Sequence, residues 1–149
     1  MAIIRFVSEQ VSDVLKISKD MLTMKRFKNI ITVDDDFPTN LYTQIVLNKE
    51  GISENVITKG SAKEVLEHLN DQSKPVPEIL LMDLHMPIMS GWDLLNEIDK
   101  KNDARWKDMK IFMLTSSAIV DDIEVANDHH LIEGVLLKPL DPKKLLAKL

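Results

Sequence analysis

Glu78-Ile79-Leu80-Leu81-Met82-Asp83-Leu84-His85-Met86-Pro87-Ile88-Met89-Ser90-Gly91 is the stretch on which the fold turns. Residues 78–82 form a short apolar run without alternation, the pattern of a strand covered on both faces of a parallel sheet. The run stops at a single acid, Asp83. The chain must then turn sharply to leave that carboxylate exposed, and Pro87 and Gly91 serve the turn, Gly91 by admitting conformations that other residues disfavour. Ser90 or Gly91 opens a helix with Leu94, Leu95 and Ile98 as its apolar stripe.

Outward from this unit the same alternation repeats. Strand-like runs occupy residues 29–33, 55–58, 110–114 and 134–137. The stretches between them read as helices: Leu41, Ile45 and Val46 keep a helical spacing, and Ser61 with Glu64 makes a capping-box pattern ahead of Val65, Leu66 and Leu69. The segment from Val120 to about Asn127 is a weaker helix, because Asp121, Asp122 and Glu124 leave it few apolar positions. Asp141-Pro142 starts the last helix, with proline at its first position and Leu145, Leu146 and Leu149 on its buried face. Five β-α units in series predict a doubly wound parallel sheet with right-handed crossovers.

Residues 1–25 stand outside this pattern, and residues 26–149 form the α/β unit. Val7, Val11, Val14, Leu15 and Ile17 suggest one amphipathic helix over residues 8–22. Met24, at the head of the basic stretch Met24-Lys25-Arg26-Phe27-Lys28, is itself a candidate start. The alternative is a helix that docks on the domain or on a second subunit.

The bulk properties exclude several classes. A chain of 149 residues with 44% apolar and 29% charged residues suits one soluble domain. A net charge of −5 disfavours direct binding to nucleic acid. With no cysteine, neither a disulfide framework nor a thiolate metal site is available. No apolar run approaches a membrane span, and the first residues lack the marks of a signal peptide, so a cytoplasmic location is expected.

Chemistry gathers where the strands stop, as it does in open α/β sheets. The first strand ends in Asp34-Asp35-Asp36, the third in Asp83, the fourth in Thr115-Ser116 and the fifth in Lys138-Pro139. In a parallel sheet all of these converge on one edge. Three acids there repel one another unless a cation intervenes. Mg²⁺ prefers oxygen ligands and commonly takes one or two carboxylates plus waters and a phosphate. Lys138 adds a second positive charge, and Thr115 offers a hydroxyl to a phosphoryl oxygen. The set suits transfer of a phosphoryl group to a carboxylate, a reaction governed by positioning and charge neutralisation. Each piece alone has a plainer reading: a solvated loop for the aspartates, an N-cap for the Thr-Ser pair, a surface turn for Lys-Pro. Their joint order along four strands favours the site.

Val33-Asp34-Asp35-Asp36, the D-x-x-M-P-x-M-x-G pattern from Asp83 to Gly91, Leu114-Thr115-Ser116 and Leu137-Lys138-Pro139-Leu140 together resemble the receiver domains of two-component response regulators, including the single-domain, chemotaxis-type ones. The resemblance covers residues 28–149. It implies a flavodoxin-like five-stranded sheet in the order 2-1-3-4-5. It also implies roles. Asp83 would be the phosphoacceptor. Mg²⁺ would be held by Asp35 and Asp83, by Asp34 through a water, and by the backbone carbonyl of His85. Thr115 would be the switch hydroxyl, with the Ser116 N–H on the phosphoryl group and Lys138 as the site's lysine, ahead of a cis bond to Pro139. The phosphodonor would be a histidine kinase or a histidine phosphotransfer protein. The output would be a protein contact on the surface formed by the helix from Val120, the last strand and the last helix. No membrane partner is implied, and a homodimer through the last helices is left open. With nothing after Leu149, no attached output domain is expected. The resemblance departs at Val135, where receivers commonly carry Tyr or Phe, since a valine cannot make the ring movement of the family's switch. His85 and Ser117 occupy positions that tune dephosphorylation in related receivers.

Two other readings compete. A small Mg²⁺-dependent phosphatase of the haloacid dehalogenase type would use Asp34 as nucleophile, with Asp36, Thr115, Lys138 and Asp121-Asp122, although its acidic pair should follow the lysine. A receiver used purely for docking, without phosphorylation, is the third. Elsewhere His129-His130 reads as surface, Trp106 and the methionines mostly as packing, Trp92 as the rim of a helix, and Asp121, Asp122 and Glu124 as a solvated face.

Overall fold

The computed structural model describes residues 1–23, 27–116 and 120–149. Its elements run α1 (Ala2–Thr23), β1 (Phe27–Val33), α2 (Phe37–Lys49), β2 (Ser53–Lys59), α3 (Ala62–Asn70), β3 (Ile79–Met82), α4 (Gly91–Lys101), β4 (Lys110–Thr115), α5 (Val120–Asp128), β5 (Ile132–Leu137) and α6 (Pro142–Ala147). The five strands form one sheet in the order β2-β1-β3-β4-β5, parallel throughout. The expected fold class and strand order are therefore present.

Period-two alternation sorts the central strands' side chains to two cores. Ile31, Val33, Leu80, Met82, Ile111 and Met113 meet Val65, Leu69, Leu94, Leu95, Ile98 and Ala126 from α3, α4 and α5. Their neighbours Ile30, Ile79, Leu81, Phe112 and Leu114 meet Leu47 and Leu145 from α2 and α6. Both faces being covered is the reason β3 and β4 carry no polar alternation. The edge strand β5, in contrast, alternates between buried and exposed positions.

Three expectations need correction. Of the stripe Leu41, Ile45 and Val46, only Val46 packs partly on the core, and Leu41 and Ile45 lie off the buried face of α2. That helix buries Asn40, Thr43 and Leu47, while Phe37, Leu41, Tyr42 and Ile45 are exposed. Two inward donors are bonded, which makes the inversion possible: Asn40 Nδ2 donates to the Lys59 carbonyl at 2.8 Å and Thr43 Oγ1 to the Thr39 carbonyl at 3.1 Å, while the buried Asn40 Oδ1 has no protein partner among the described residues. The capping box is also misplaced. Ser61 caps α3 as expected, but Glu64 reaches the N–H of Gly60, one residue too early for a box. The full box sits on α4, where Ser90 and Asp93 exchange bonds. Finally, α1 begins at Ala2, earlier than the residue 8 expected, and every described residue from Met1 to Ile17 is exposed. The basic stretch at Met24–Arg26 lies outside the described residues. Among the described residues, no helix is long and apolar enough to cross a membrane.

Candidate functional site

Register builds the site. Val33 of β1 pairs with Met82 of β3, so the next residue on each strand, Asp34 and Asp83, emerges side by side. Leu137 of β5 pairs with Thr115 of β4, and the Lys138 N–H donates to the Thr115 carbonyl at 2.7 Å. Thr115 is buried and Ser116 is exposed. The Lys138–Pro139 bond is cis.

Asp34, Asp35 and Asp83 each bring a carboxylate oxygen within 4.8 Å of the others. Asp34 and Asp83 are buried, at 3% and 9% exposure, and Asp35 is open to solvent. Lys138 extends into this group. Its Nζ donates to Asp83 Oδ2 at 3.1 Å and lies 2.5 Å from Asp34 Oδ2 as an ion pair. Burial pushes the Lys138 pKa down, but the Asp34 and Asp83 carboxylates outweigh it and hold the ammonium above its usual range. The other oxygens are also held: the His85 N–H donates to Asp83 Oδ1 at 3.1 Å and the Asp36 N–H to Asp34 Oδ1 at 2.9 Å. One ammonium against three carboxylates leaves a local excess of negative charge. The all-oxygen donor set, with one acid open to water, fits a hard divalent cation such as Mg²⁺.

The third acid of the run does something else. Asp36 is the N-cap of α2 and accepts the N–H of Thr39 at 3.1 Å and its hydroxyl. Those bonds, the hydroxyl's first, hold its pKa below the usual carboxylate range. It is not a member of the cluster.

The loop after Asp83 is shaped by two residues. Gly91 donates to the Leu84 carbonyl at 2.9 Å, and a Cβ on it would sit 2.5 Å from the Asp83 carbonyl oxygen and 2.8 Å from Leu84 Cα. The expected reason for this glycine, an unusual backbone conformation, is thus replaced by close approach. The left-handed residue of the loop is Ile88, at φ 70°.

Comparison with known proteins then decides the family. The family model described as "Response regulator receiver domain" matches residues 30–149. The chain belongs to this family. Luminescence regulatory protein LuxO of Vibrio campbellii is 28% identical to it over 95 residues, 64% of this chain and 19% of LuxO. The phosphate regulon transcriptional regulatory protein PhoB of Escherichia coli is 24% identical over 126 residues, 82% of this chain and 50% of PhoB. The chain thus spans a fifth of the one relative and half of the other. Among solved structures, a response regulator receiver protein from Dyadobacter fermentans superposes with a TM-score of 0.71 at 28% identity, over 79% of this chain and 91% of that one.

In this receiver domain the α1 helix lies before the matched region, and Ser117 falls outside the described residues. Val135 is half-buried and packs on the core that contains Met113. Two features escaped the sequence. Asp122 is not simply solvated: from α5 its carboxylate meets the ring of His85, two residues beyond Asp83, at 3.0 Å. The partners lie 37 residues apart, so no local pattern announces them. Beside the site, Pro38, Thr39, Tyr42, Ser116, Lys138 and Pro139 line a cleft of about 410 Å³, which the inverted face of α2 makes possible. Trp106 is buried as expected. Trp92 packs partly into the core and tilts on His129, while exposed His130 pairs with Asp99 at 2.9 Å.

Proposed function

We propose that this receiver domain accepts a phosphoryl group on Asp83 from the phosphohistidine of a histidine kinase or histidine phosphotransfer protein, in a Mg²⁺-dependent step, and so switches a protein-binding surface. The observation that carries the reading is the meeting of Asp34, Asp35 and Asp83 at two neighbouring strand ends with Lys138 bonded to Asp83. Asp35, Asp83 and the His85 carbonyl, with Asp34 through a water, would hold Mg²⁺, which would supply neutralisation of the charge on the acids and the incoming phosphoryl group. The chain's own groups do the rest. The His85 N–H and Lys138 fix the Asp83 carboxylate for in-line attack. Lys138 remains an ammonium at neutral pH and passes from Asp83 to a phosphoryl oxygen once the transfer is made. The Thr115 hydroxyl and the Ser116 N–H receive the remaining phosphoryl oxygens, and movement of Thr115 draws the start of α5 with it. With Val135 on β5 there is no ring to swing inward, so the switch runs through Thr115 alone.

The donor's imidazole enters by the cleft between α2 and Pro139, and the exposed ridge of Phe37, Leu41 and Ile45 seats the donor protein. Residues 26–149 make up the receiver unit, with 1–25 as an extension. Transfer and autodephosphorylation are its only chemistry, and α5, β5 and α6 carry its output. A phosphatase with Asp34 as nucleophile draws less support, because Asp36 is committed to capping α2 and Asp122 to His85.

The test is intact-mass spectrometry after incubation with Mg²⁺ and acetyl phosphate, with Trp92 fluorescence on adding beryllofluoride. One phosphoryl adduct, abolished in Asp83→Asn, is expected. Steady turnover of a phosphate ester that survives Asp83→Asn would establish the phosphatase instead. Absence of any adduct would leave a docking module.

A further inference from the structure

The helix α1 carries an apolar stripe that its own chain leaves open. Ile3, Ile4, Val7, Val11, Val14, Leu15 and Ile17 are each 52–78% exposed. Ile4, Val7, Val11 and Val14 follow steps of three, four and three, the a/d spacing of a heptad, and Ile3, Leu15 and Ile17 flank that line. The charges keep strictly to the opposite side. Arg5, Glu9, Asp13 and Lys16 occupy b, c and f positions, where Arg5 and Glu9 pair at 3.3 Å. A single amphipathic helix of this length is marginal in water and takes most of its stability from packing.

We propose that this stripe is covered by α1 of a second copy of the chain. Three observations select that occupant. A three-four repeat presents one line to a partner helix of the same repeat, whose holes receive its knobs. Seven large apolar side chains, each more than half exposed, lie along one face, and a second copy would cover them with an equivalent set. Along α1 the charges are balanced, three of each sign, which suits a mixed outer face between protein copies. An anionic lipid surface selects a polar face rich in Lys and Arg. The seam itself is free of charge from Ile3 to Ile17, so two copies meet without like-charge opposition. The receiver site is not involved, and the inference stands whether or not Asp83 is phosphorylated.

Light scattering on the full chain from 1 to 100 µM, with sedimentation velocity alongside, tests it. A particle mass of at least twice the 17.0 kDa of one chain is expected at the upper end. Val11→Glu, in the seam, should return the mass to one chain, while Ser12→Glu, on the charged face, should leave association intact. Phosphoryl uptake in all three proteins reports that the receiver domain is folded. A single-chain mass for wild type at 100 µM overturns the proposal. So does association that Val11→Glu does not weaken, or partition of α1 onto anionic phospholipid vesicles by a chain that stays monomeric.

Discussion

Gly91→Ala is the substitution for which the structure makes the sharpest demand. The new methyl carbon would stand 2.5 Å from the Asp83 carbonyl oxygen, 2.7 Å from Met82 Cε and 2.8 Å from Leu84 Cα. The Met82 methyl is the end of a flexible side chain and can retreat. The other two contacts are backbone, so the strand end itself must move by about 1 Å to regain ordinary contact distance. Overpacking of this kind costs about 1–3 kcal/mol. In a domain of this size that corresponds to a fall in Tm of roughly 3–12 °C. Because the displaced atoms belong to Asp83 and Leu84, phosphoryl uptake should also slow, by up to about 100-fold for a misplacement near 1 Å. Urea unfolding followed by circular dichroism measures the first effect and intact mass against time the second. Gly60→Ala is the internal control. There the Cβ meets only the Glu64 carboxylate, at 3.7 Å, and the substitution should stabilise by about 0.4–1 kcal/mol through the unfolded state. If Gly91→Ala proved as stable as wild type, with uptake unchanged, the close approach of β3 and α4 would not be what requires the glycine.

Asp36→Ala removes the cap of α2 and should lower Tm by a few degrees, yet leave phosphoryl uptake within about twofold, whereas a dehalogenase-type phosphatase would lose its acid; parallel melting curves and mass spectra decide. Lys138→Met leaves three acids with no ammonium and should cost about 2 kcal/mol near neutral pH, between the values for exposed and buried pairs. Lys138 has a raised pKa, so its contribution is whole below 10.5 and is lost as pH climbs through the higher folded value; the gap between wild type and variant in urea unfolding should therefore narrow only above about pH 10.5. Mg²⁺ should raise Tm in a saturable way, worth about 2.7 kcal/mol at 100 times its dissociation constant, with the effect reversed by a chelator and much weakened in Asp35→Asn.

The fold was legible wherever one physical cause dominates. The run 79–82 is apolar because both its faces are covered, and its Asp83 stands beside Asp34 because parallel register carries Val33 to Met82. The cluster, Lys138 and the cis bond could all be read from strand ends and motif. Apolar spacing failed in part on α2, where Asn40 and Thr43 take inward positions, Leu41 and Ile45 form an exposed ridge and only Val46 of the stripe packs partly on the core. Spacing also cannot say whether a glycine serves conformation or clearance; Gly91 serves clearance while Ile88 takes the left-handed turn. The His85–Asp122 pair depends on tertiary placement of α5, which no local pattern encodes.

The most direct measurement is the identity of the modified residue. Phosphorylate the protein with acetyl phosphate and Mg²⁺, reduce the acyl phosphate with borohydride, digest, and sequence the peptides by tandem mass spectrometry. Homoserine at position 83 alone is the predicted outcome. Homoserine at position 34, or at no position while phosphate is released, would contradict it.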